Sequence, residues 1–332
     1  MAPDDITLNH VIDVAVGSGG GANGFWQWRT LQALVKSGYK PQIVAGTSTG
    51  CLTMFLYAKG LHDEAEELYH EVYFDNARLI SKPGIAKIKN GKLDVNWFKL
   101  ALNLPRAGRI TSLMDNTPLY EVILSLCKKK PSWECDFLFN YVDMKTGLVV
   151  NNSATDFGTN FEALASAITS STTMPGIWPL NKERGDGGMR DGVPTDLMWS
   201  KLDPTKDYRL WELRCNKYDP APAEDLDNIF KIAGRTLQIL LNEVLRGDIA
   251  RTQDRNATMI KLWPIIEELR AADLHHFADK LMEVFVYRVI PIHTITYSGN
   301  RGVFEFTREA YDEMALTADS DVSAYIKSNL NT

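Results

Sequence analysis

Long apolar runs are missing from this 332-residue sequence. None approaches the roughly 20 residues that a membrane-spanning helix needs, so a bilayer-embedded protein is not expected. A basic surplus is missing too: 36 Lys and Arg stand against 42 Asp and Glu, for a net charge of −6. Nucleic-acid binders usually carry the opposite balance, and no nucleic-acid partner is expected. Cysteine is scarce. The four present, Cys51, Cys127, Cys135 and Cys215, form no C-x-x-C pair, which argues for reduced thiols in a cytoplasmic protein rather than a disulfide framework. The six histidines are dispersed. The adjacent pair His275 and His276 would point to different sides of a helix, so no zinc set is apparent and no metal or other cofactor is expected. The opening stretch MAPDDITLNH lacks the basic and apolar regions of a secretory leader. No repeat, low-complexity tract or obvious linker breaks the chain, so one domain over 1–332 is expected.

What is present is an ordinary globular composition, 45% hydrophobic and 23% charged, ample for a large core. The first part alternates strand and helix signals. VIDVAV (Val11 to Val16) reads as a buried strand. A glycine-rich turn follows, then an amphipathic helix from about Gly24 to Lys36 that Ser37-Gly38 terminates. A second apolar run, Gln42 to Ala45, leads into GTSTG and a helix that stops at Gly60, with another helix at about Asp63 to Val72. This order is the signature of a sheet with helices on its faces. Further strands are expected at Phe137–Met144, Gly147–Asn152 and Tyr208–Cys215. The remainder, about 224–332, reads as mostly helical and packed on the core motifs of about 11–200. There Ile229, Ile232, Ala233, Leu237, Leu240, Leu241, Val244 and Leu245 are spaced for one buried face.

Three motifs carry chemistry. In GTSTG (Gly46 to Gly50) Ser48 sits between glycines two before and two after it, with a strand in and a helix out. Small neighbours let strand and helix approach while the serine hydroxyl is pushed clear, and the helix N-terminus favours negative charge at that spot. GSGGGANG (Gly17 to Gly24) follows the first strand. It could cradle a pyrophosphate, form an oxyanion hole from unencumbered N–H groups, or be a plain turn. A dinucleotide site also wants an acid about 20 residues on, and none occurs between Asp13 and Asp63. A Walker loop fails because no Gly-Lys-Ser/Thr follows. In RGDGGMRDGVPTD, Asp186 and Asp191 both sit in tight turns from which a carboxylate could serve as the base for a serine.

Glycine loop, G-x-S-x-G and D-G-G, in that order, resemble the patatin-like phospholipase family. MDNTPL (Met114 to Leu119), SAITSSTTMPGIWPL (Ser166 to Leu180) and VFEFTREAYDEM (Val303 to Met314, similar to the family's last strand and helix) extend the resemblance over nearly the whole chain. The resemblance implies an α/β fold: a patatin-type three-layer α/β/α domain with a mainly parallel central sheet and a nucleophile elbow at Gly46 and Gly50. It implies a Ser-Asp dyad that hydrolyses lipid acyl esters, with Ser48 as nucleophile and Asp186 as general base, which leaves Asp191 a turn residue. Backbone N–H groups of Gly19, Gly20 and Gly21, joined by Thr49, would form the oxyanion hole. No histidine is required. One departure is Asn23, where the family often has Lys or Arg.

The implied partner is a membrane lipid or lipid aggregate as substrate. Two other classes stay open: a carboxylesterase or thioesterase on soluble acyl substrates, and a non-catalytic lipid- or nucleotide-binding module. Met174, Pro175, Ile177 and Trp178 are candidates for an acyl pocket or for ordinary core. The stretch Arg78 to Ile110 interleaves eight basic residues with apolar ones and holds a single acid, Asp94. It is either a peripheral contact with an anionic membrane or a solvated face packed on the domain.

Overall fold

The computed structural model describes residues 11–75, 77–103, 111–203, 206–217, 229–284 and 289–330. The opening MAPDDITLNH, Leu104 to Ile110 of the basic stretch, and the side chains of Trp97, Ile229, Ile232, Ala233, Leu237 and Leu241 lie outside what is described.

The alternating signals of the first part become β1 (Ile12–Gly17), α1 (Gly24–Lys36), β2 (Ile43–Gly46), α2 (Thr49–Ala58) and α3 (His62–Phe74). A hairpin follows, β3 (Ala86–Lys89) and β4 (Lys92–Val95), then α4 (Trp97–Asn103) and α5 (Thr117–Lys129). Asn90 and Gly91, at φ 50° and 71°, make the left-handed turn between β3 and β4, the backbone that Asn-Gly adopts most readily. Next come β5 (Asp136–Asp143), β6 (Val149–Ser153), α6 (Phe161–Ser171), β7 (Arg184–Asp186), α7 (Thr195–Trp199) and β8 (Tyr208–Arg214). The last part holds α8 (Ile229–Ala271), α9 (His275–Val284), β9 (Ile292–Thr296) and α10 (Arg308–Asn329).

Among the described residues, seven strands form the main sheet in the order β6-β5-β2-β1-β8-β9, with β7 also paired to β5. The β5-β2, β2-β1, β1-β8 and β8-β9 pairings are parallel, and β6 and β7 run antiparallel to β5. Both faces are covered, which is why the inner strands read as continuous apolar runs. Val14, Val16, Ile43 and Ala45 point to one layer, where Leu197 and Met198 of α7 and Leu245 and Ile249 of α8 pack. Ala15 and Val44 point to the other, against α1, α2, α5, α6 and α10. The result is a three-layer α/β/α arrangement around a mainly parallel sheet.

Two details depart from expectation. The strand expected at Val303–Phe306 is a turn: Glu305 N–H bonds Gly302 O at 3.0 Å, and Arg301 pairs with Glu305 at 2.9 Å. The sheet's edge is instead IHTIT (Ile292–Thr296), whose half-polar alternation gives little strand signal. In α8, Leu240 is 59% exposed rather than on the buried face, whereas Leu245 is buried. Among the described residues no helix is long and apolar enough to cross a membrane.

The topology brings one pair of loops together. One edge of β5 is taken by β6, through Leu138–Val142. The other edge is shared end to end: β2 pairs with Asp136–Phe139 and β7 with Tyr141–Asp143, Asp186 lying opposite Tyr141. The chain leaving β2 and the last residue of β7 therefore meet at one point.

Candidate active site

Ser48 occupies that point. It stands between β2 and α2 with φ 54° and ψ −128°, a sparsely populated conformation for a non-glycine residue. The flanking glycines are obligatory for steric reasons. A Cβ on Gly46 would lie 2.2 Å from the Gly50 carbonyl oxygen, and one on Gly50 would lie 2.3 Å from that of Gly17. Ser48 Oγ–H donates to Asp186 Oδ2 at 2.6 Å. The second carboxylate oxygen accepts from Gly188 N–H at 2.8 Å, and Asp186 N–H bonds Thr173 O at 2.8 Å. The first glycine of D-G-G leaves room for a neighbour, since a Cβ on Gly187 would sit 2.0 Å from Asn140 Oδ1.

Burial decides the electrostatics of this carboxylate. Asp186 is 4% exposed. Desolvation raises its pKa to about 6, opposed by the hydrogen bonds from Ser48 and Gly188. Asp191, the rival base, sits in the turn after D-G-G and is buried. Its Oδ2 accepts from Asn140 Nδ2 at 2.8 Å, and Asn140 Oδ1 accepts from Thr47 Oγ1 at 2.8 Å, so Asp191 braces the residue before the serine. Burial, then the nearby charge of Asp248, pushes Asp191 up to about 7.

The glycine loop lies against the serine: a Cβ on Gly19 would stand 3.2 Å from Ser48 Cβ. It is fastened at several points. Gly19 N–H bonds Gly192 O at 3.2 Å and Ala22 N–H bonds Val303 O at 2.8 Å. Tyr73 Oη–H donates to Ala22 O. Asn23, only 1% exposed, turns inward and donates from Nδ2 to Cys215 O at 3.1 Å, so it presents nothing to a substrate. Of the four expected oxyanion donors, Gly19 has its N–H committed to Gly192. Among the described residues the amides of Gly20, Gly21 and Thr49 make no hydrogen bond.

Above the serine opens a mainly apolar cavity lined by residues including Leu52, Val72, Leu119, Met174, Trp178 and Phe304. Of the residues expected at an acyl pocket, Met174 and Trp178 line it; Pro175 and Ile177 do not. Residues 16–199 match the family profile described as patatin-like phospholipase. The chain belongs to the patatin-like phospholipase family. No curated protein sequence matches it. Among solved structures it is similar to VipD from Legionella pneumophila, at 13% identity and a TM-score of 0.42, covering 96% of this chain and 67% of that one.

The patatin-like match ends before several residues that hold this site together. Asp248 of α8 accepts from Gly192 N–H at 2.6 Å and Val193 N–H at 3.1 Å, and the Gly192 carbonyl in turn holds Gly19. Sequence reasoning missed Asn140, Asp248 and the Val303 carbonyl. Asn140 left one signal, a lone amide inside the apolar run FLFNYV; the other two left none.

Proposed function

We propose that this chain is a lipid acyl hydrolase of the phospholipase A or lysophospholipase type, working through a Ser48–Asp186 dyad. The observation that carries the reading is the 2.6 Å hydrogen bond from a strained, glycine-flanked serine to a buried carboxylate on the wall of a mainly apolar cavity. Ser48 Oγ attacks the ester carbonyl while its proton passes to Asp186 Oδ2. The tetrahedral oxyanion is held by the amides of Gly20, Gly21 and Thr49, with the N-terminus of α2 aimed at it. Collapse expels the alcohol, which takes up the proton, and leaves an acyl-serine. Asp186 then draws a proton from water as it attacks the acyl carbonyl; collapse breaks the bond to Ser48 Oγ, which takes the proton back from Asp186, and the fatty acid is released. A base with a pKa near 6 is ionised at neutral pH yet still basic enough to take part in proton transfer.

The test is fatty-acid release from mixed phospholipid vesicles by wild type, Ser48→Ala and Asp186→Ala, with circular dichroism on all three. The expected result is turnover by wild type and a loss of several orders of magnitude in each variant, as when members of one catalytic unit are removed. Equal release by all three overturns the proposal. A rate that climbs when the ester substrate passes from monomers to aggregates separates a lipase from an esterase of soluble substrates.

A further inference from the structure

We infer that the β3–β4 hairpin and the turn before it form a phosphate-binding cavity through which the protein docks on anionic membrane lipid. The inference rests on the lipid-hydrolase reading and adds to it the headgroup chemistry of the surface on which the site works.

The cavity, about 180 Å³, is lined by Arg78, Lys82, Lys87 and Lys89, together with Ser81 and Asn90. That is far more than the ~10–15 Å³ a cavity needs to hold a single water. Arg78 stands 3.6 Å from Asp75 on the surface. Among the described residues no carboxylate pairs with Lys82, Lys87 or Lys89 within 4.0 Å. Between 78 and 103 the sequence places Arg78, Lys82, Lys87, Lys89, Lys92 and Lys99 against the lone acid Asp94, in a chain whose net charge is −6. Such segregation concentrates positive charge in this segment. Four cations around one cavity match the charge and multiple acceptor oxygens of a phosphate monoester.

The cavity is built onto the wall of the candidate active site. Ser81 accepts from Trp178 Nε1 at 3.2 Å, and Trp178 lines the acyl cavity. The hairpin tip is clamped by Phe306 N–H to Gly91 O at 2.6 Å, and Phe306 lines the same cavity. A lipid surface, rather than a free phosphate, is favoured by α4. This helix follows the hairpin directly, its approach tied by Asn96 N–H to Ile85 O at 2.8 Å. Its Phe98 and Leu102 are 73% and 63% exposed, and at i, i+4 they share one face. Basic residues beside an exposed apolar face are the arrangement that settles at a headgroup boundary.

The experiment is co-sedimentation of the Ser48→Ala protein with phosphatidylcholine vesicles, with and without phosphatidic acid. Binding is read on the Ser48→Ala background so that the vesicles stay intact and the outcome is independent of turnover. Phosphatidic acid is expected to raise partitioning. Lys87→Gln combined with Lys89→Gln should lower the phosphatidic-acid-dependent part roughly thirtyfold, which is what two cations at about 1 kcal/mol each convert to. Phe98→Ser should weaken binding to both kinds of vesicle. Partitioning that ignores phosphatidic acid, or that survives the double lysine change, overturns the inference. So does binding of inorganic phosphate or glycerol 3-phosphate to this cavity without any vesicle binding, which would assign it to a soluble anion. Vesicle binding with the expected pattern but no fatty-acid release by wild type would leave the docking site standing and remove the hydrolase reading; release without lysine-dependent binding would do the reverse.

Discussion

Replacing Asp186 by Asn should stabilise the fold while removing the activity, because the carboxylate is held where charge is costly. Its pKa rises from 3.8 to about 6 on folding, so the native state holds the proton more tightly than the unfolded chain does. Stability of the wild type therefore falls as pH rises from about 4 through 6, and the full cost is present above that window. Two pH units correspond to roughly 3 kcal/mol. The Asp186→Asn side chain would keep an acceptor for Gly188 N–H and place an amide beside Ser48 Oγ, so both local contacts survive in altered form. Urea unfolding of both proteins at a series of pH values isolates the charge. Asp191, buried in both, titrates alike and cancels in the difference. We expect the Asp186→Asn variant to gain about 1–3 kcal/mol over wild type near pH 8, with the difference between the proteins changing by roughly 3 kcal/mol down to pH 4. A difference that does not move with pH would mean that the Asp186 charge is not desolvated in the native state.

Activity should follow the same group from the other side: kcat/KM for a soluble ester rises with pH through about 6 as Asp186 ionises, and a profile flat between pH 5 and 7 would contradict its role as base. Gly20→Ala should cut kcat by roughly 10²–10³, the range for a lost oxyanion donor, because its Cβ would fall 2.1 Å from Cys215 Cβ and force the loop to shift. Adding Cys215→Gly should restore part of the loss, and no recovery would place the damage elsewhere. Asp248→Ala strands the amides of Gly192 and Val193, with an expected stability cost of about 1–3 kcal/mol; a lowered kcat at unchanged KM would mark Asp248 as positioning the glycine loop, and a loss of stability alone would mark it as structural.

The parts of the site that could be read in the sequence are those whose requirements are local. Gly46, Gly50 and Gly187 are demanded by atoms a few ångströms away, and such demands leave glycines at fixed offsets from the reacting side chain. The alternating first half was legible for a similar reason, since each strand there is buried on both faces. Bracing from far along the chain was not. Asn140 reaches Asp191 across 51 positions and Asp248 reaches Gly192 across 56, and a single Asn or Asp in a strand or helix gives no hint of its partner. Asp191 reads as a turn residue because Asp-Gly is turn chemistry, and its burial beside Asn140 and the charge of Asp248 left no mark in the sequence. VFEF misled in the opposite way: its alternation suits a strand, but Arg301 and Glu305 close it into a turn that the hairpin tip then caps.

The fastening of the glycine loop has a practical consequence for where this protein can be cut. The Ser48–Asp186 pair lies inside the stretch that matches the family, so a fragment ending near residue 200 would retain both members of the proposed dyad. It would lose Cys215 O, Asp248 and Val303 O, the anchors of Asn23, Gly192 and Ala22. If the proposed chemistry is right, the portable unit, for anyone wishing to transplant it or to trace how it was inherited, is longer than the recognisable motif, because the later helices and their loops act as the frame that holds the glycine loop against Ser48.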